Sequence, residues 1–136
     1  MCEDRLMGYH VIHPADVPWE ERPNVEGQAS RHTADITAAA HLQQSRARMW
    51  RIPAHTRGRR HKEGVQEEVF VVLGGTLTML LGEPPERFDV EAGSVVSVDP
   101  GTGLQMRNES DDDVVVFAYG APPVSGQAEY LDDVEL

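Results

Sequence analysis

The chain carries a single cysteine, Cys2, so no internal disulfide framework holds it together, and a lone thiol beside the terminus reads as inert. No apolar run approaches the ~20 residues needed to cross a bilayer. The opening M-C-E-D-R-L is charged and lacks the apolar stretch of a signal peptide, so a cytoplasmic protein without membrane contact is the expectation. Basic residues are few overall: 12 Lys and Arg face 23 Asp and Glu, for a net charge of −11. That balance argues against nucleic acid as a partner. Ser45, Ser94 and Ser97 lack a G-x-S-x-G setting, and no phosphate-loop motif occurs. Neither a serine nucleophile nor a nucleotide cradle is indicated, and no catalytic residue is assigned.

What is present is a chain of 136 residues, the length of one domain. A chain of that size buries roughly 68% of its unfolded surface, enough for a core without staples. Short β-type runs recur every ~8–12 residues between Gly- and Pro-rich turns, which indicates an all-β sandwich or barrel. Residues 1–44 read as an irregular N-terminal arm and first strands, broken by Pro14, Pro18 and Pro23. Tyr9 to His13 suits a short strand, Trp19 is a candidate anchor, and residues 31–44 stay open between helix and strand. Residues 45–121 form the expected barrel core. Residues 122–136 are an acidic tail that packs on the barrel or on a partner.

The informative stretch is H-K-E-G-V-Q-E-E-V-F-V-V-L-G-G, from His61 to Gly75. Val69 to Leu73 have strand composition, and Gly74-Gly75 before T-L-T-M-L-L reads as a tight hairpin. Alternation puts Glu68, Phe70 and Val72 on one face. A carboxylate beside Phe and Val is either solvated at a strand end or buried and in need of a partner.

This stretch resembles the first motif of the cupin superfamily, G-x5-H-x-H-x3,4-E-x6-G. Glu68 to Gly75 matches E-x6-G, His61 stands at the first His, and Glu63 replaces the second. Gly93, Gly101 and Asn108 match the second motif, G-x5-P-x-G-x2-H-x3-N. Asp99 fills the Pro slot with Pro100 one place late, and Leu104 takes the place of the His. The resemblance covers roughly residues 46–120. It implies a double-stranded β-helix, a small jelly-roll barrel of the single-domain conserved-barrel type, with a pocket at one mouth.

The resemblance implies a metal site of three His and one Glu, but here only His61, Glu63 and Glu68 can coordinate. Two readings follow. In one, no metal is tightly bound, Glu63 turns outward, and His61 and Glu68 form a buried hydrogen-bonded pair that is either merely structural or suited to proton transfer near neutrality. In the other, the three residues hold one divalent transition metal (Mn, Fe, Ni or Zn), and loss of imidazoles favours the harder Mn-type ions.

The expected function is binding of a small molecule in the barrel mouth, by Arg48, Trp50, Arg59, Met79, Leu104, Met106 and Phe117. A small aromatic or apolar acid would suit such a pocket. The alternatives are a metal-dependent enzyme, a dioxygenase or isomerase as many cupins are, and a non-catalytic interaction or sensory module. Arg46, Arg48, Arg51, Arg57, Arg59, Arg60 and Lys62 lie in a span without acids. They form either a solvated face balancing the acidic tail or an anion-attracting rim. His55 is a surface residue or a substitute ligand, and His10 and His13 read as surface residues. The resemblance also suggests a homodimer, formed through sheet edges and the arm, because open edges need covering.

Overall fold

The computed structural model describes residues 8–124, 126 and 128–136; Cys2 and Gln127 lie outside them. Among the described residues twelve strands follow one another: β1 (Trp19–Arg22), β2 (Arg31–Asp35), β3 (Arg46–Ile52), β4 (Thr56–Arg57), β5 (His61–Glu63), β6 (Glu67–Gly74), β7 (Thr76–Leu81), β8 (Glu86–Glu91), β9 (Val95–Val98), β10 (Leu104–Asn108), β11 (Val114–Ala121) and β12 (Ala128–Tyr130). A one-turn helix, α1 (Ile36–Ala39), separates β2 from β3. One sheet runs β1-β2-β3-β11-β6-β9, and the other β12-β5-β10-β7-β8 with β4 beside β10. All pairings are antiparallel. The architecture is the double-stranded β-helix.

Alternation along each strand builds the core. Ile52, Phe70, Val72, Leu77, Met79, Val90, Val98, Leu104, Met106, Val114 and Val116 fill the space between the sheets. Fully burying each large apolar side chain contributes about 1.5–3 kcal/mol. Glu68 shares its face with Phe70 and Val72, both buried, so the strand carries a carboxylate to the wall of the interior.

Two expectations about local structure change, and one open reading is decided. Gly74-Gly75 is a corner between sheets and not a hairpin, because β6 pairs with β9 and β11 while β7 pairs with β8 and β10. The two strands therefore present their apolar faces to the same core from opposite sheets. Gly75 has φ +77°, and a Cβ there would lie 2.7 Å from the Asp113 carbonyl oxygen. Tyr9–His13 is not a strand; the chain enters a 3-10 turn at Pro14, whose ring fixes φ and removes a donor. Residues 31–44 divide into a strand and a single helical turn, the latter capped by the Asp35 carboxylate accepting from the Ala38 N–H at 3.2 Å.

The acidic tail lies on its own barrel. Leu131 N–H donates to the Arg60 carbonyl, and Arg57 pairs with Asp133 at 2.8 Å. Arg107, on the outer face of β10, donates to the carbonyls of Val134 (2.6 Å) and Leu136 (3.3 Å). Among the described residues no helix is long and apolar enough to cross a membrane.

Candidate functional site

A cavity of about 670 Å³ opens at one end of the barrel. Its walls come from β1–β3, β6 and β11 of one sheet and from β5, β10 and β12 of the other. At it His61, Glu63 and Glu68 converge, each offering a donor atom within 4.8 Å of the others. His61 and Glu63 sit two apart on β5 and so share a face. Glu68 arrives from β6, in the opposing sheet.

His61 is oriented by the backbone. Its Nδ1 lies 3.1 Å from the Arg59 carbonyl oxygen, which can only accept, so Nδ1 donates there and the ring is held with Nε2 facing the cavity. Nε2 is 3.4 Å from Glu63 Oε2, and both side chains are largely covered, at 23% and 15% exposure. Glu63 therefore points inward and not outward. His61 and Glu68 form no hydrogen-bonded pair: Glu68 Oε1 is buried with no partner, and the imidazole engages Glu63 instead. Burial pushes the Glu68 carboxyl up to about 7; Glu63 adds repulsion, and Arg46 opposes both.

A divalent cation fits this donor set. One imidazole nitrogen and two carboxylates point at common ground, one buried oxygen lacks any partner, and the Arg59 carbonyl turns Nε2 toward the two acids. Two oxygens to one nitrogen is a harder set than a His-rich one. Leu104, 1% exposed and paired with His61 across β5 and β10, presents only hydrocarbon.

Of the residues expected to bind a ligand, Arg48, Trp50, Arg59, Leu104 and Met106 line the cavity. Met79 and Phe117 do not. Met79 is wholly buried in the core. Phe117 sits between Val116 and Ala118, which face the interior, so alternation turns it to the outer side of β11, beside Met49 and Val71. His55 is remote from the cavity lining and pairs with Asp111 at 2.7 Å on the surface. His10 is half-buried, with its ring 4.7 Å from that of His41.

Sequence reasoning missed Arg22, Arg31, Gln66 and Tyr130, which also line the cavity. The first two come from the β1–β2 hairpin, hidden among the prolines of the arm; W-E-E-R and R-H-T-A-D around a polar Gly-containing turn were the available signal. The basic stretch is divided by the fold. Arg46, Arg48 and Arg59 face the cavity, Arg57 and Arg60 hold the tail, Lys62 pairs with Glu83 at 3.0 Å, and Arg51 lies over Trp19 at 4.5 Å. Five arginines thus meet two glutamates in the cavity lining.

The chain belongs to the cupin domain family, whose model matches residues 48–119. No curated protein sequence matches it. Among solved structures, a sugar phosphate isomerase from a cupin superfamily of Silicibacter pomeroyi is 19% identical, with TM-score 0.74 over 91% of this chain and 83% of that one. The polyketide cyclase RemF of Streptomyces resistomycificus is 14% identical, with TM-score 0.74 over 93% and 87%. A predicted oxalate decarboxylase of Thermotoga maritima is 18% identical, with TM-score 0.72 over 83% and 99%. At such identities the likeness is one of fold.

Proposed function

We propose that this cupin binds a small acidic molecule in the barrel mouth. The observation that supports the reading is the cavity lining itself: cationic side chains over apolar walls of Trp50, Phe70, Leu104 and Met106. Apolar walls exclude water, and a few placed charges then orient a ligand strongly. The test is a thermal-shift panel of small aromatic and aliphatic acids. A ligand at 100 times its Kd should stabilise the fold by about 2.7 kcal/mol, and Ala118→Trp, which fills the cavity, should abolish the effect. A panel in which no acid raises the melting temperature contradicts the reading.

A second reading, supported by the convergence of three donor atoms, is that His61, Glu63 and Glu68 hold one divalent cation of the Mn or Fe type. When bound, such an ion supplies Lewis-acid polarisation of a ligand oxygen. The chain's own part is to aim Nε2 at the cavity through the Arg59 carbonyl and to deliver two oxygens from opposite sheets.

A homodimer accords with the same reading. Strands β1, β9, β12 and β8 end their sheets, and Leu73, Val95 and Tyr119 are exposed. Edges and apolar patches of this kind are commonly covered by a second copy.

A further inference from the structure

The β1–β2 hairpin places two guanidinium groups where their charges are unbalanced. Arg22 and Arg31 are directly opposed across the hairpin, an arrangement of like charges that destabilises an antiparallel pair. Both lie over the same indole, with Cζ 5.9 Å and 4.8 Å from the Trp50 ring centroid. Arg31 is also confined from another side: a Cβ on Gly58 would sit 2.7 Å from its Nη1. Its Nε is buried with no hydrogen-bond partner. Among the described residues no carboxylate stands within ion-pair distance of either group. Arg48 lies close enough to donate to Thr33 Oγ1 at 3.4 Å, on the strand that carries Arg31.

Folding has therefore covered the Nε of a half-buried guanidinium, set the exposed guanidinium of Arg22 against it and supplied no carboxylate. The ring of Trp50 offsets part of that cost through cation–π attraction, but it accepts no hydrogen bond in the guanidinium plane. The missing partner is an oxyanion able to take donors from both forks. Five arginines against two glutamates leave the lining cationic even with both acids ionised, so a single negative charge does not balance it.

We propose that Arg22 and Arg31, braced on Trp50, form the head-group subsite for a dianionic ligand: one phosphate-like group or two carboxylates. The inference rests on the small-molecule reading above and narrows its ligand class. A monoanion leaves one fork unmatched, and a neutral molecule leaves both.

Titration calorimetry at low ionic strength with inorganic phosphate, malonate and acetate tests it. The wild type should bind at least one dianion about 10-fold or more tighter than acetate. Arg31→Gln should weaken that binding about 10–100-fold, in line with loss of charge-assisted hydrogen bonds, and Arg31→Lys should recover only part. Arg31→Gln should also melt no lower than wild type in anion-free buffer, since it relieves repulsion, and should lose the stabilisation that the dianion gives. Preference for phosphate alone supports a single dianionic head, and preference for malonate alone supports paired carboxylates. Dianions bound no better than acetate, or bound equally by Arg31→Gln, overturn the proposal. If acids bind without regard to charge and Ala118→Trp blocks them, this inference fails while the small-molecule reading stands.

Discussion

His61 and Glu68 approach from different sheets, yet each offers a donor atom within 4.8 Å of the other. The bend after Glu63 makes this possible: the chain leaves one sheet at β5 and enters the opposite sheet at Glu67. The consequence is a half-buried carboxylate beside a second carboxylate, with one oxygen fully covered and without a hydrogen bond.

That environment makes stability depend on pH in a defined direction. The Glu68 carboxyl is raised to about 7 in the folded chain. The folded state therefore holds a proton between the ordinary Glu range and about 7 that the unfolded state releases. Its contribution is fully present below about pH 4.5 and is lost as pH rises to about 7. Urea unfolding of chelator-treated wild type and Glu68→Gln should give a stability difference that shifts by roughly 2–3 kcal/mol in favour of the variant from pH 5 to pH 8. A difference that is flat with pH counts against a buried, partnerless acid.

Cation uptake should run the opposite way. Binding requires the Glu68 carboxylate, so Mn(II) affinity of the chelated protein should fall as pH drops below about 7, with at least one proton released per ion. His61→Ala should weaken uptake about 10-fold or more. Mn(II) binding that is unchanged in His61→Ala places the ion elsewhere.

Asn108 should prove structural. It is buried, and its Nδ2 donates to the carbonyls of Ile52 (2.9 Å) and Asp112 (2.7 Å). Its Oδ1 accepts from the Ser110 N–H (2.9 Å) and hydroxyl (2.7 Å). Asn108→Ala strands these groups and should cost about 2–4 kcal/mol, while leaving ligand affinity per folded molecule unchanged. A loss below about 0.5 kcal/mol in chemical denaturation would contradict this account.

The legible part of the molecule was whatever strand alternation and motif spacing encode. E-x6-G turned Glu68 inward with Phe70 and Val72, and the alternation of Arg46, Arg48, Trp50 and Ile52 put three residues on the cavity and the fourth in the core. What escaped depends on contacts between distant segments. Arg22 and Arg31 reach the cavity because β2 pairs with β3, a long-range choice that a proline-rich arm conceals. Tyr130 enters because β12 adds to β5, opposite His61. The inward turn of Glu63 follows from its two-residue spacing to His61, the placement that the metal reading of the sequence assumes and the metal-free reading does not. The Gly74-Gly75 corner imitates a hairpin because both contexts call for positive φ; only the core decides which strands pair.

The oligomeric state is a separate expectation. Sedimentation equilibrium should return twice the chain mass of 15.1 kDa, and Val95→Glu, at an exposed position on the edge strand β9, should shift the protein toward monomer. A concentration-independent monomer contradicts the paired form.

The most direct test of ligand binding in the barrel mouth uses the two indoles of this chain. Trp50 lines the cavity, whereas Trp19 lies outside it beneath Arg51. In a 1H–15N spectrum each gives one indole N–H signal. Titration with malonate or phosphate should move the Trp50 signal in a saturable way and leave that of Trp19 in place. Saturable movement of Trp19 alone, or of neither, would contradict an anion seated in this cavity.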